Sequence, residues 1–117
     1  MVEQHPVILD SIFHALSDTT RRAMLRDLAE GERSIGELAA PFDMSFAGAS
    51  KHVKVLEQAG LVQRRIAGRT HYCRLNADRL AEADAWLRYY ERFWTRGLDT
   101  LEALLRAEDE RAGKMGK

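Results

Sequence analysis

The middle of this 117-residue chain contains a helix-forming run that ends in a glycine and leads into two short strand candidates. Residues 45–59 contain no proline, and Gly60 follows them as a helix stop. Residues 61–66 and 70–75 are short strand candidates, and a tip containing Gly68 joins them. The sequence therefore predicts a mainly α fold that carries a small β-hairpin.

Two helices are predicted near the start of the chain. The first begins after Pro6 and covers about residues 7–16, where apolar side chains recur at helical spacing. The second is capped by Ser17 or Asp18 and ends at Gly31.

A third, short helix is predicted to begin at Ser34. Ser34 and Glu37 form a capping-box pattern, in which each side chain satisfies a free backbone donor of the other residue. Pro41 limits this helix, and we expect Asp43 to take a left-handed backbone conformation in the turn that follows. Ser45 then caps a fourth helix, so the predicted order is α-α-α-α-β-β-α.

The fourth helix is predicted to have a core side and a solvent side. The core side carries Phe46, Ala49, Val53 and Leu56. The solvent side carries Ala47, Ser50, Lys51, Lys54 and Gln58. The first turns on this side carry small side chains, and the later turns carry cations. This order suits a helix whose first turns approach base edges and whose later turns contact phosphates. Gly48 fits either close approach to a groove or packing against the preceding helix.

Positive charge is concentrated in residues 45–75. Six cations face the single acid Glu57, whereas the whole chain is neutral with 18 basic and 18 acidic residues. The six are Lys51, Lys54, Arg64, Arg65, Arg69 and Arg74. A basic surface inside a neutral protein is the electrostatic pattern expected of a site that meets phosphates.

The last third of the chain is predicted to form one long helix over residues 77–108. No proline interrupts it, and apolar residues repeat every seven positions at Leu80, Leu87, Trp94 and Leu101. Such a seam requires a partner helix. We therefore expect a single domain over residues 1–117, with a helix-turn-helix at 34–59, a wing at 61–75 and a dimerisation helix at 77–108.

Several classes of protein are disfavoured. No apolar run approaches the ~20 residues of a membrane span, and Met1–Pro6 lacks a signal-peptide pattern, so we expect a cytoplasmic protein. The single cysteine, Cys73, cannot form an intrachain disulfide, and we expect it to have a packing role. No serine-histidine-acid set or glycine-rich phosphate loop indicates an enzyme.

Three segments resemble the ArsR/SmtB family of winged helix-turn-helix repressors. They are residues 15–22 at the second helix, residues 50–56 in the fourth helix and residues 59–62 leading into the hairpin. The resemblance covers about residues 10–105, and the aromatic stretch at residues 86–94 is similar to a subgroup with a long final helix. It implies a homodimer, paired through the first and last helices, that binds a twofold-symmetric DNA operator and represses transcription until a signal releases it.

The resemblance and the residue patterns together define two candidate sites. The DNA-binding set is Ser45, Ala47, Gly48, Ser50, Lys51, His52, Lys54, Arg64, Arg65, Arg69 and His71. The dimer-interface set is Ile8, Ile12, Leu80, Leu87, Tyr90, Trp94, Leu98, Leu101 and Leu105.

No metal or other cofactor is expected. Members of the family that sense metals through the third helix carry a Cys-x-Cys motif there, and residues 37–40 contain no cysteine. Members that use the last helix carry aspartate and histidine pairs, and no histidine follows His71. His5 and His14 could pair with Asp10 as metal ligands, but solvated or packing roles are expected instead.

Four alternatives remain open. His52 either contacts DNA or packs inside the protein, and Arg21 and Arg22 either contact the DNA backbone or solvate the second helix. The aromatic residues of the last helix either line a small-molecule pocket, with an unknown effector, or form core. A winged-helix module that binds proteins instead of DNA is the second functional hypothesis.

Overall fold

A computed structural model describes residues 4–115, with side chains described over residues 8–113. Its elements are α1 (Gln4–Leu16), α2 (Thr19–Ala29), β1 (Arg33–Ser34), α3 (Ile35–Ala39), α4 (Phe46–Gln58), β2 (Val62–Ala67), β3 (Thr70–Leu75), α5 (Asp78–Arg88) and α6 (Glu91–Met115). The chain divides into two compact units after Ala83. The predicted mainly α fold with a small β structure is confirmed.

The sheet has three antiparallel strands in the order β1-β3-β2, one more strand than the predicted hairpin. The third strand is the two-residue β1, in which Arg33 pairs with Cys73 and Ser34 with Tyr72. Two residues are too short to show a strand pattern in a sequence. This pairing fixes the start of α3 beside the middle of β3 in the wing, the β2–β3 hairpin.

Side-chain caps define where the helices begin. Asp18 is the N-cap of α2, because its carboxylate accepts a hydrogen bond from the backbone N–H of Arg21. The predicted capping box of Ser34 and Glu37 is present at α3. Ser45 caps α4 by accepting from the backbone N–H of Gly48.

Glycine supplies every positive φ angle among residues 4–115, at Gly31, Gly60 and Gly68. The expectation of a left-handed Asp43 was therefore wrong. Gly60 has a φ of 79°, and a Cβ atom there would lie 2.8 Å from the Cγ of Arg79. Both features require glycine at the point where α4 turns into the wing.

The core lies where α2, α3 and α4 meet the base of the wing. Its buried members are Ala15, Met24, Leu25, Leu28, Ile35, Leu38, Ala49, Val53, Leu56, Ala59, Leu61, Val62 and Cys73. Because α4 contributes three of its residues to this cluster, the helix is held by its inner side and its outer side is left to solvent.

The prediction of one unbroken helix over residues 77–108 was wrong. Tyr89 and Tyr90 form a turn between α5 and α6, in which their backbone N–H groups bond to the carbonyls of Trp86 and Leu87, three residues back. The rings of Tyr89 and Tyr90 also pack edge to face, with their centroids 4.9 Å apart. Consecutive side chains do not face each other in a regular helix, so this contact accompanies the break. The seven-residue seam is thereby divided, with Leu87 on α5.

Within its own unit, α6 is a strongly amphipathic helix. Its exposed apolar residues are Phe93, Trp94, Leu98, Leu101, Leu104 and Leu105. The spacing of Trp94, Leu98, Leu101 and Leu105 places them on one stripe. Ion pairs of Arg106 with Glu102 and of Arg111 with Glu108 lie along the same helix.

Candidate nucleic-acid interface

The inner side of α4 is formed by Ala49, Val53 and Leu56, which are fully buried as predicted. Phe46, which was expected beside them in the core, is 60% exposed. Phe46 is the first residue of α4, directly after the cap Ser45, and the buried part of the helix begins only with Ala49. The phenyl ring is thus an exposed aromatic group at the start of the helix, and sequence periodicity could not distinguish this end position from a core position.

The outer side of α4 presents small side chains first and cations later. Ala47, Lys51 and Lys54 are exposed, and Ser50 is half-buried. Neither lysine forms an ion pair within the described part of the chain. Unpaired ammonium groups remain free to neutralise phosphates.

Gly48 does not pack against the preceding helix. A Cβ atom at this position would meet only the Oγ of Ser45 at 3.4 Å and the Cβ of Met44 at 3.9 Å. Both atoms belong to the turn and cap before α4, and both distances allow ordinary contact. The packing alternative for Gly48 therefore has no support in these contacts.

His52 lies half-buried on α4, and its Nδ1 is 3.2 Å from the Nη1 of Arg21. Arg21 is only 8% exposed, so it is not a solvent-exposed side chain of α2 and is not free to contact DNA. Arg22 donates to the carbonyl of Leu16 at 2.7 Å and stays exposed. Sequence reasoning could not find that Arg21 joins α2 to α1 and α4, because its side-chain partners lie on these two other helices.

Arg64 is occupied inside the wing. Its Nη2 donates to the carboxylate of Glu57 at 3.1 Å, and its Nη1 lies 2.9 Å from the Nδ1 of His71. The Arg64 side chain is 18% exposed, and its Nε is buried without a partner among the described residues. Arg64 and His71 therefore connect the end of α4 to the wing.

Arg65 is also paired within the protein. It donates to both carboxylate oxygens of Glu32 and lies over the ring of Tyr72, 4.6 Å from the centroid. The hydrogen bond from Arg65 lowers the pKa of Glu32 and raises the pKa of Arg65 itself. On the same face Arg74 donates to Gln63 at 2.8 Å.

Arg69 stands at the exposed tip of the wing, after the left-handed Gly68, and has no ion pair within the described residues. Together with Thr70 and His71 it lines one wall of an open cleft of about 220 Å³. Phe46 and the residues at the start of α3, Ser34, Ile35 and Gly36, line the other side. Of the predicted DNA-binding residues, Ala47, Lys51, Lys54 and Arg69 are thus exposed. The three cations among them form no ion pair with another described residue, whereas Arg64 and Arg65 are paired within the protein.

The predicted dimer-interface residues fall into two groups. Ile12 is 0% exposed in the single chain, and half-buried Leu80 packs against the core, so both serve this chain's own packing. Ile8 is half-buried. The exposed members are Leu87, Tyr90, Trp94, Leu98, Leu101 and Leu105.

Cys73 is completely buried on β3, opposite Arg64 in the strand register. Burial raises the pKa of its thiol, which opposes formation of the reactive thiolate. Among the described residues no group of three histidine, cysteine or acidic side chains is arranged to hold a metal ion. The side chain of His5 lies outside the described residues.

None of the described helices combines the length and the apolar character needed to cross a membrane.

A short helix, a turn, a second helix with an exposed basic side and a β-hairpin define a winged helix-turn-helix protein. A family model described as a helix-turn-helix domain matches residues 16–65. The transcriptional regulator Rv2034 of Mycobacterium tuberculosis is 39% identical over 86% of this chain and 92% of its own length.

Solved structures agree with this assignment. The crystal structure of an ArsR family transcriptional regulator is 37% identical, with a TM-score of 0.73 over 77% of this chain and 93% of that one. The solution structure of Mb0332 from Mycobacterium bovis, a homodimeric winged helix-turn-helix DNA-binding domain, is 27% identical, with a TM-score of 0.58 over 73% of this chain and 79% of that one. The chain belongs to the ArsR family of transcriptional regulators.

Proposed function

We propose that this protein is a homodimeric, cytoplasmic repressor that binds an inverted-repeat DNA operator, with neither enzymatic activity nor a bound metal. The observation that carries the proposal is the outer side of α4, where Lys51 and Lys54 follow the small side chain of Ala47 and are exposed, with no ion pair to any residue that the structure describes. That surface is basic while the whole chain is neutral.

The proposed binding mode follows from the arrangement of these groups. Ala47 and Ser50 on the first turns of α4 leave room for base edges in the major groove, while Lys51 and Lys54 contact the phosphates that border it. Arg69 at the wing tip contacts a phosphate or the neighbouring minor groove. Ser45 contributes its hydroxyl to the helix cap and orients the start of α4.

The proposed dimer is supported by the apolar stripe of α6 and by the homodimeric state of the related Mb0332 domain. A helix with such a stripe exposed lacks a partner, and a second copy of the same helix is the simplest one. A twofold dimer presents two recognition helices to half-sites about 34 Å apart, one turn of DNA. An inverted repeat is therefore the expected operator.

Repression is proposed because a dimer seated on its operator blocks access of polymerase to the same DNA. The effector that would release it is not identified by any feature of the described residues. A winged-helix module that binds only proteins is the alternative. It is disfavoured because Lys51, Lys54 and Arg69 are exposed and form no ion pair within the described part of the chain.

The test is DNA protection upstream of the protein's own gene, followed by binding measurements at several salt concentrations. We expect protection of an inverted repeat and a steep loss of affinity as salt rises. Lys51→Ala or Lys54→Ala should lower the salt slope by ~1 per subunit. Arg96→Ala, which removes an exposed cation of α6, is the matched control and should leave the slope unchanged. Salt-independent binding, or no protected site, would contradict the proposal.

A further inference from the structure

One buried guanidinium joins the end of α1 to the recognition helix α4. The Nε of Arg21 donates to the carbonyl of Ala15 at 2.8 Å, and its Nη2 donates to the carbonyl of His14 at 3.0 Å. Carbonyls in the last turn of a helix have no partner within the helix, so Arg21 acts as the cap of α1. Its third nitrogen, Nη1, is directed to His52 on α4 at 3.2 Å.

This contact determines which nitrogen of His52 carries the proton. A guanidinium has donors and no acceptor, so the Nδ1 of His52 must accept from Arg21. A neutral imidazole that accepts at Nδ1 carries its proton on Nε2. Among the described residues, Asp18 is the acid within 4.0 Å of the ring. Its Oδ1 lies 4.0 Å from Nδ1, beyond hydrogen-bond distance, and already accepts from the backbone N–H of Arg21.

The position of His52 on α4 restricts which DNA group its ring can meet. His52 is half-buried on the flank of α4 that faces α2, beside and not on the exposed side that carries Ala47 and Lys54, and 25% of its side chain is exposed. A donor on the flank of a recognition helix meets the rim of the groove, which is formed by phosphates. A neutral N–H group there adds a hydrogen bond without adding a cation.

We propose that Arg21 is a positioning residue for DNA binding, which holds His52 as the neutral Nε2–H tautomer so that Nε2 donates to a phosphate oxygen. This inference rests on the proposed function, because it specifies one contact of the same interface. The proposal differs from both earlier alternatives for Arg21. The guanidinium does not contact DNA directly, and it is not simply a solvent-exposed group on α2.

The tautomer can be tested in the free protein, without DNA. Long-range proton–nitrogen NMR spectra of ¹⁵N-labelled protein at neutral pH should show His52 protonated at Nε2 and unprotonated at Nδ1. In Arg21→Met the ring should lose this preference and exchange between tautomers. A parent His52 protonated at Nδ1 would overturn the inference, whatever the DNA measurements show.

The DNA contact can be tested with two substitutions of His52 that imitate different nitrogens. The amide N–H of His52→Gln reaches the place of Nε2, whereas His52→Asn imitates only the acceptor Nδ1. We expect His52→Gln to bind DNA within about threefold of the parent, and His52→Asn to lose about tenfold, as for one charge-assisted hydrogen bond. If His52→Asn binds DNA as well as the parent and His52→Gln binds more weakly, His52 has a packing role and the inference is wrong.

A comparison of two duplexes completes the experiment. The loss in His52→Asn should be equal on the protected upstream duplex and on an unrelated duplex, because a phosphate contact carries no sequence information. A loss confined to the upstream duplex would show a base contact and overturn the phosphate assignment.

Failure of the proposed function is distinguishable from failure of this inference. If the parent protein binds neither duplex, both the proposed function and the proposed DNA contact of His52 are wrong. If the parent binds and His52→Ala binds equally well, only this inference is wrong. If Arg21→Met fails to fold, the NMR spectra of the parent still test the tautomer of His52, and the two His52 variants still test its DNA contact.

Discussion

Arg64 on β2 donates to Glu57 on α4 across 3.1 Å, and this ion pair connects the wing to the end of the recognition helix. The same guanidinium reaches His71 on β3. The angle between helix and hairpin thus depends on a side chain whose position in an arginine-rich strand suggested a DNA contact. Arg69, at the exposed tip of the same hairpin, is the arginine left for that contact.

The two arginines should therefore respond differently to alanine. Arg69→Ala should lower the salt slope of DNA binding by ~1 per subunit and leave the free energy of unfolding within ~0.5 kcal/mol of the parent. Arg64→Ala should reduce stability by about 1–3 kcal/mol, because it leaves Glu57 without its partner, and should leave the salt slope nearly unchanged. Urea unfolding and salt titration of DNA binding measure both quantities. Exchanged behaviour of the two variants would contradict the assignment.

Leu101→Glu should convert the protein to a monomer. Leu101 lies in the middle of the apolar stripe of α6, where a carboxylate would have to be buried in the proposed dimer. Sedimentation at micromolar concentration should give twice the 13.3 kDa chain mass for the parent and a single chain mass for the variant. Ala103→Glu, on the opposite side of α6, is the matched control and should stay dimeric. A parent that sediments as a monomer would remove the basis for the inverted repeat.

Asp18 should contribute to stability at neutral pH and lose that contribution in acid. The hydrogen bond from the backbone N–H of Arg21 is the main cause that lowers the pKa of Asp18 below its usual value of 3.8. A lowered folded-state pKa means that the stabilisation is present above the unfolded value and disappears as the pH falls through the folded one.

Asp18→Ala should cost about 0.5–2 kcal/mol at pH 7, whereas Asp18→Asn retains a cap and should cost less. The difference in unfolding free energy between the parent and Asp18→Asn should shrink between about pH 5 and pH 2, within the range over which such a carboxyl titrates. Urea unfolding across that range measures it. A difference that does not change with pH would show that the carboxylate charge at the cap is unimportant.

Cys73 should behave as a buried packing residue. Burial raises the pKa of its thiol, so iodoacetamide should modify it in denaturant and leave it unmodified in the folded protein at pH 7.5. Cys73→Ser should lower stability by about 1–3 kcal/mol through its buried hydroxyl. It should leave DNA binding and its response to mild peroxide unchanged. A peroxide-dependent loss of binding that disappears in Cys73→Ser would identify a sensor instead.

The Phe46→Ala substitution tests whether the ring of Phe46 is exposed or belongs to the core. Because Phe46 is mostly exposed, its truncation should change the unfolding free energy by no more than ~0.5 kcal/mol, whereas Leu56→Ala should cost about 2–5 kcal/mol. Phe46 lines the same cleft as Arg69, where its ring can contact a thymine methyl group. Selection from random duplexes should then show a weaker thymine preference at one position. A stability loss as large as that of Leu56→Ala would place the ring in the core after all.

Most features confirmed from the sequence are local. The capping box of Ser34 and Glu37, the stop at Gly60 and the hairpin tip at Gly68 each depend on backbone conformation or hydrogen bonds within a few residues. The buried stripe of α4 follows from the 3.6-residue period. The family resemblance added the winged helix-turn-helix order, since it rests on the same contiguous segments.

Tertiary structure decided what depends on partners far apart in the chain. Arg21 and His52 are 31 positions apart, and only the packing of α1 and α2 against α4 brings the guanidinium to the imidazole. Likewise β1 exists because two residues happen to lie beside β3, and Phe46 is exposed because the core ends one turn further along α4. Local propensity cannot encode such contacts, because their free energy arises only when separate elements have already packed together.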